Sequence, residues 1–139
     1  MLDYRTHIEK DSMFNTPPVF PIYVALQTMK WYKELGGVKV LEKMNLEKAG
    51  ILYDAIDSSR LFRGTVNPED RSIMNVCFVM KDEYKELEKE FLDLATARGI
   101  SGIKGHRSVG GFRASLYNAL PKTSVEFLVE AMKDFERQH

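Results

Sequence analysis

Eight consecutive uncharged residues, Ile73-Met74-Asn75-Val76-Cys77-Phe78-Val79-Met80, set the strongest limit on how this chain of 139 residues folds. The run is far shorter than the roughly 20 apolar residues a membrane-spanning helix needs. It is rich in β-branched and aromatic side chains, and the turn residues Asn67-Pro68-Glu69-Asp70 precede it. Together these features predict a strand covered on both faces, inside a small sheet.

Around that run the periodicity is helical. Apolar residues dominate from Ile22 to Leu35, and Gly36-Gly37 supplies a stop, which predicts a mostly buried helix. A second helix is expected from about Val38 to Ile56, with Val38, Leu41, Ala49, Leu52 and Ile56 near one face and Lys39, Glu42, Lys43, Glu47 and Lys48 elsewhere. Tyr84, Leu87, Phe91 and Leu94 repeat at helical spacing up to Gly99, while Lys85, Glu86, Glu88, Lys89 and Glu90 form the solvated side. Arg60-Leu61-Phe62-Arg63 reads as a short strand, and Ile100 to Tyr117 as short strand-like pieces punctuated by glycine. Pro121-Lys122-Thr123 opens a last helix in which Thr123 and Glu126 match a capping box, with Val125, Leu128, Val129, Met132 and Phe135 as its apolar stripe. The first eleven residues show no clear period and read as an extended arm. Trp31, Phe62, Phe78 and Phe91 read as core. The order of elements implies an α/β (α+β) fold, a two-layer sandwich of a small mixed or antiparallel sheet with helices packed on it.

Composition narrows the function classes. Lys plus Arg and Asp plus Glu each number 20, so no charge excess drives nucleic-acid binding or adhesion to an acidic membrane, and any polyanion site must be local. The single cysteine, Cys77, cannot form an internal disulfide and fits a reducing, cytoplasmic compartment. The start, Met1-Leu2-Asp3-Tyr4-Arg5, lacks the apolar region of a signal peptide. His7 and His139 lie far apart in sequence, so no metal-ligand spacing is present, and no Ser/His/Asp arrangement can be argued around His106.

Two stretches suggest local chemistry. Gly99 to Arg113 holds five of the 9 glycines, together with Lys104, His106, Arg107 and Arg113, and no Asp or Glu. Glycine lets backbone approach a ligand closely, and guanidinium groups offer bidentate donors to carboxylate or phosphate, so this is a candidate anion site. A hairpin with turn glycines and solvated basic residues accounts for the same composition. Asn15-Thr16-Pro17-Pro18 is the second candidate, because a helix N-terminus favours phosphate and Asn and Thr add side-chain donors; plain capping is the commoner use of such residues.

Taken together, Asp11-Ser12-Met13-Phe14-Asn15-Thr16-Pro17-Pro18 and Lys104-Gly105-His106-Arg107-Ser108-Val109-Gly110-Gly111-Phe112-Arg113-Ala114-Ser115, followed by Tyr117-Asn118-Ala119-Leu120-Pro121, resemble the phosphoserine aminotransferases. The resemblance implies the small C-terminal domain of a fold-type I, pyridoxal-phosphate-dependent class-V enzyme, with a lead-in arm over 1–14 and the domain over 15–139. In such an enzyme an amino group passes between glutamate and 3-phosphohydroxypyruvate, giving phosphoserine and 2-oxoglutarate in serine biosynthesis, and in many bacterial members also serving pyridoxine biosynthesis. It further implies that Asn15 and Thr16 contact the cofactor phosphate in the neighbouring subunit of a homodimer. His106 and Arg107 would bind the substrate's distal phosphate or side-chain carboxylate, and Arg113 the α-carboxylate. None of the twelve lysines matches the family's Schiff-base position, so no catalytic residue is expected here, and the isolated chain is expected to be inactive and to retain no cofactor. The alternative is a freestanding anion-binding or dimerisation module without catalysis.

Overall fold

The computed structural model describes residues 2–107 and 110–139; Ser108 and Val109 of the glycine-rich segment lie outside the described residues. The chain divides into two compact units, Met1–Val38 and Lys39–His139.

In the first unit, the arm contains a short helix, α1 (Tyr4–Ile8), where an extended lead-in was expected. The cause is local: the Asp3 carboxylate accepts from the Arg5 backbone N–H at 3.0 Å and pairs with its guanidinium at 2.8 Å, so one side chain both caps and neutralises the turn. Helix α2 (Val19–Glu34) ends as expected, with Gly36 and Gly37 at positive φ and the Gly37 N–H donating to the Tyr32 carbonyl at 2.9 Å. It is not buried, however. None of its residues is buried, Phe20 is 75% exposed, and Trp31, read as core, is also exposed. At 100° per residue Phe20, Ile22 and Tyr32 point to different sides, so no single face concentrates the apolar surface. The break placed after Phe14 does not coincide with this division, since the arm and α2 share a unit.

The second unit is built on phenylalanine. Helix α3 (Val38–Ser58) is followed by strands β1 (Phe62–Gly64) and β2 (Asn75–Met80), helix α4 (Glu88–Ala97), strand β3 (Phe112–Ser115) and helix α5 (Lys122–Gln138), with 3-10 turns at Pro68–Asp70 and Asp82–Leu87. The sheet is antiparallel with order β1-β2-β3. Register pairs Phe62 with Met80, Phe78 with Phe112 and Val76 with Ala114, which places these six side chains on one face, and all six are buried. The other face carries Arg63, Cys77, Val79, Arg113 and Ser115, exposed or half-buried. Thus β2 is covered fully on one face only, not on both, because the helices form a single layer. The strand-like region before Phe112 contributes an isolated bridge, Lys104 to Phe112, in place of a fourth strand.

Helix α5 turns its stripe Val125, Leu128, Val129, Met132 and Phe135 into that core, and α4 adds Phe91 and Ala95. Ring centroids lie 4.9 Å apart for Phe62–Phe91, 5.0 Å for Phe78–Phe112, 5.1 Å for Phe91–Phe112 and 5.3 Å for Phe91–Phe135. Most of these contacts are edge-to-face, the arrangement the ring quadrupoles favour. Gly99 ends α4 at positive φ as expected, and the Ile100 N–H returns to the Ala95 carbonyl at 2.9 Å.

Polar contacts then tie the helices to the sheet. The Ser59 hydroxyl donates to Glu136 Oε2 at 2.7 Å and accepts from the backbone N–H groups of Leu61 and Phe62, while Glu136 Oε1 accepts from the Arg60 N–H at 2.6 Å. Lys48, assigned to the solvated side from sequence, is buried. It lies seven residues from Leu41, on the same stripe, and its Nζ donates to the Tyr117 and Leu120 carbonyls at 2.7 and 3.1 Å. Asn45 one turn earlier donates to Asn118 Oδ1 at 2.8 Å. Val38, placed on the apolar face, is exposed instead. The expected capping box does not form: α5 begins at Lys122 behind Pro121, with no side-chain cap, so Thr123 already lies inside the first turn.

Two outcomes follow from this packing. Phe112→Ala should cost about 3–5 kcal/mol of unfolding free energy, measured by urea denaturation, because it empties the centre of the aromatic cluster. Burial holds the Lys48 ammonium below its ordinary value of 10.5, so between that lowered value and 10.5 the unfolded chain binds more protons than the folded one. Stability should therefore rise with pH through that alkaline window, and this slope should be absent in Lys48→Met, by denaturation at stepped pH.

Candidate functional site

The glycine-rich basic segment folds as a hairpin leading into β3. The Arg113 N–H donates to the Ile103 carbonyl at 2.7 Å, Gly105 to Gly111 at 2.7 Å, and Gly110 to His106 at 2.8 Å. His106 and Arg107 stand at its tip and both are exposed. Arg113 follows on the arm that becomes β3. Its neighbours Phe112 and Ala114 are buried, so strand alternation turns its side chain to the opposite face, where it pairs across the sheet with Cys77. The structure therefore brings His106, Arg107 and Arg113 onto one hairpin of the second unit. Asn15 and Thr16 belong to the first unit, exposed, ahead of α2.

Pairing separates the arginines. Of the eight, Arg5, Arg63, Arg71, Arg98 and Arg137 make ion pairs with carboxylates, and Arg60 donates to the Glu136 carbonyl at 3.0 Å. Arg71 is the most committed: it grips Asp57 with two hydrogen bonds of 2.6 and 2.7 Å and lies 4.5 Å over the Tyr53 ring. The Arg71 hydrogen bonds hold the Asp57 carboxyl below its ordinary value of 3.8. Among the described residues, no carboxylate lies within ion-pair distance of the Arg107 or Arg113 guanidinium. In a chain with equal numbers of acids and bases, two unpaired guanidinium groups on one hairpin form a local surplus of positive charge for an anionic ligand.

A cavity of about 680 Å³ opens beside Arg113, between Gly99–Ile103, the C-terminal half of β3 and the first turn of α5. Ser101, Ser115, Thr123 and Ser124 supply hydroxyl groups to its lining. His106 and Arg107 do not line it, so the cationic tip and the cavity are adjacent parts of the hairpin rather than one pocket. The hydroxyl residues of the lining were not foreseen, because isolated serines and threonines carry no spacing signal. Lys48 and Asn45, which hold the 117–120 turn, were also missed. The signal was available in the heptad step from Leu41 to Lys48.

Asn15 and Thr16 do not act as the caps their sequence suggested. The N-cap of α2 is Pro18, and no side chain caps that helix. Asn15→Ala and Thr16→Ala should accordingly change thermal stability by less than about 0.5 kcal/mol, whereas loss of a working N-cap costs about 1 kcal/mol; differential scanning calorimetry separates the two.

Comparison with known proteins follows the same lines. The family described as Aminotransferase class-V matches residues 1–128. The phosphoserine aminotransferase of Porphyromonas gingivalis is 80% identical over 139 residues, and that of Parabacteroides distasonis is 74% identical; the match covers 100% of this chain and 39% of each relative. The chain thus spans about two fifths of the length of these relatives. Among solved structures, phosphoserine aminotransferase from Bacillus circulans subsp. alkalophilus superposes with a TM-score of 0.88 at 46% identity, covering 97% of this chain and 37% of that one. The phosphoserine aminotransferase of Trichomonas vaginalis, solved with pyridoxal phosphate bound, gives a TM-score of 0.85 at 44% identity, over 94% of this chain and 37% of that one.

Proposed function

The chain belongs to the class-V aminotransferase family, and from that membership we propose that it supplies the substrate-anion and cofactor-phosphate contacts of a phosphoserine aminotransferase. The observation that carries this reading is the pairing pattern of the arginines: five are held by carboxylates and Arg60 by a main-chain carbonyl, and the two that have neither among the described residues, Arg107 and Arg113, sit on one hairpin. The reaction moves an amino group between glutamate and 3-phosphohydroxypyruvate, yielding phosphoserine and 2-oxoglutarate. Each of these substrates carries an α-carboxylate and a second anionic group. Arg113 takes the α-carboxylate as a planar, bidentate donor pair, and His106 with Arg107 takes the distal carboxylate or phosphate. Binding both ends fixes the amino-bearing carbon, which turns an encounter into an oriented reaction.

Asn15 and Thr16 suit the phosphate of pyridoxal phosphate because neither side chain is committed to capping α2, leaving an amide and a hydroxyl to donate. In a homodimer they serve the neighbouring subunit's cofactor. When bound, that cofactor supplies the electron sink for deprotonation at the α-carbon. No lysine of this chain is assigned to it. Residues 15–139 are the small C-terminal domain, and the exposed apolar side chains of α2 belong to the surface on which the larger domain is built. The enzyme works in the cytoplasm, in serine biosynthesis.

Steady-state kinetics on the full-length enzyme test the assignment. Arg113→Ala should raise KM for glutamate and for phosphoserine by about tenfold or more, since each presents an α-carboxylate; loss of a hydrogen bond to a charged group costs about 1.5–3 kcal/mol. Unchanged constants for both substrates would remove Arg113 from this role.

A further inference from the structure

Resting on the substrate reading above, we propose that Gly105 and Gly111 are positioning residues that fix His106 and Arg107 relative to Arg113. A Cβ added to Gly111, which has φ of 65°, would stand 2.5 Å from Val79 Cγ1 and 2.8 Å from the Phe78 carbonyl oxygen. A Cβ on Gly105 would stand 2.0 Å from the Gly110 carbonyl oxygen and 2.8 Å from that of Gly111. One glycine thus lets the hairpin lie against β2, and the other lets its two arms close on each other. Gly110, between them in the same hairpin, also has positive φ, at 75°, but an added Cβ there meets nothing within 4 Å. Backbone freedom alone explains Gly110; close approach explains Gly105 and Gly111.

The functional consequence follows from connectivity. Gly111 is two residues from Arg113, and Val79 and Phe78 belong to the central strand with which β3 pairs. The arm that runs from the tip into β3 is therefore seated, at Gly111, on the same strand that holds Arg113 in register, and Gly105 closes the arm carrying His106 and Arg107 onto it. The spacing between the two cationic ends is set by backbone packing rather than by flexible side chains. Such a spacing measures the length of a ligand with an anion at each end. A substituent at Gly111 must lift the tip away from Val79, and it changes that length without touching either arginine.

Four variants of the full-length enzyme test this. Gly111→Ala should raise KM for glutamate and phosphoserine by about tenfold, with kcat within about twofold, and should narrow the preference for glutamate over aspartate, one methylene shorter; displacement by about 1 Å suffices for effects of this size. Gly110→Asn should leave all three quantities unchanged, because Asn tolerates positive φ and has room there. If Gly111→Ala does not fold, Val79→Ala with Gly111→Ala removes the clash with Val79 Cγ1 but leaves the Phe78 carbonyl oxygen 2.8 Å from the new Cβ, so it should fold with the hairpin still displaced and KM still raised. A Gly111→Ala or double variant with unchanged KM and unchanged preference overturns the proposal, as does a Gly110→Asn variant that shifts them equally. Arg107→Ala separates the two ideas: if it leaves KM for glutamate and phosphoserine unchanged, the assignment of the distal anion fails, whereas a raised KM with a silent Gly111→Ala defeats the positioning role alone.

Discussion

The contact of Phe112 with Phe62, Phe78 and Phe91 is the interaction on which the second unit depends. Centroid distances of 6.0, 5.0 and 5.1 Å place Phe112, on β3, against both other strands and one helix at once. Phe91 passes the contact on to Phe135 of α5. Burial of this much aromatic surface on one sheet face, at roughly 25 cal/mol per Å² of apolar area, explains why three short strands hold together without a fourth. It also explains the position of Arg113. A residue that follows a fully buried phenylalanine in a strand has only the outer face left to it. The strongest apolar anchor in the chain therefore fixes the direction of a candidate ligand-binding side chain.

The anion site depends equally on what its arginines do not do. A guanidinium held by a carboxylate of its own chain, as Arg71 is by Asp57, offers little to a ligand, because binding would have to break a formed pair. Leaving Arg107 and Arg113 unpaired costs the fold little while they are solvated. The tight glycine contacts add order to that availability. Charge, direction and spacing come from three separate features, and each can be changed by substitution without removing the others.

Much of this fold was legible in sequence, and the failures share a cause. The stripe of α5 was readable because its periodicity reports a face that its own unit buries, and the strand 75–80 because β-branched and aromatic residues fill its run, although one face is covered where two were expected. Helix α2 has just as many apolar residues, yet periodicity does not say what covers them, and here none is buried. Lys48 was misplaced because its charge was weighed above its position, although two carbonyls satisfy the ammonium where a carboxylate was not needed. Thr123 was two residues out of place for a cap, a shift that Pro121 imposes by starting the helix directly after itself. Of the candidate site, composition marked the glycine-rich basic segment, and the fold makes it a hairpin carrying His106, Arg107 and Arg113. The cavity beside Arg113 was not marked, because its hydroxyl groups come from three distant segments joined only by folding.

The link from Ser59 and Arg60 to Glu136 has a consequence for the order of assembly. It joins positions 77 residues apart in the chain, whereas the β1–β2 ladder and the α4 cap close over short distances. The entropy of closing a large loop is lost before the contact returns anything. The corner between α3 and β1 thus locks later than the β1–β2 ladder, and on the ribosome it stays open until residue 136 has been made. Until then the Arg60 amide lacks the acceptor that holds it in the finished protein, while those of Leu61 and Phe62 already have the Ser59 hydroxyl beside them.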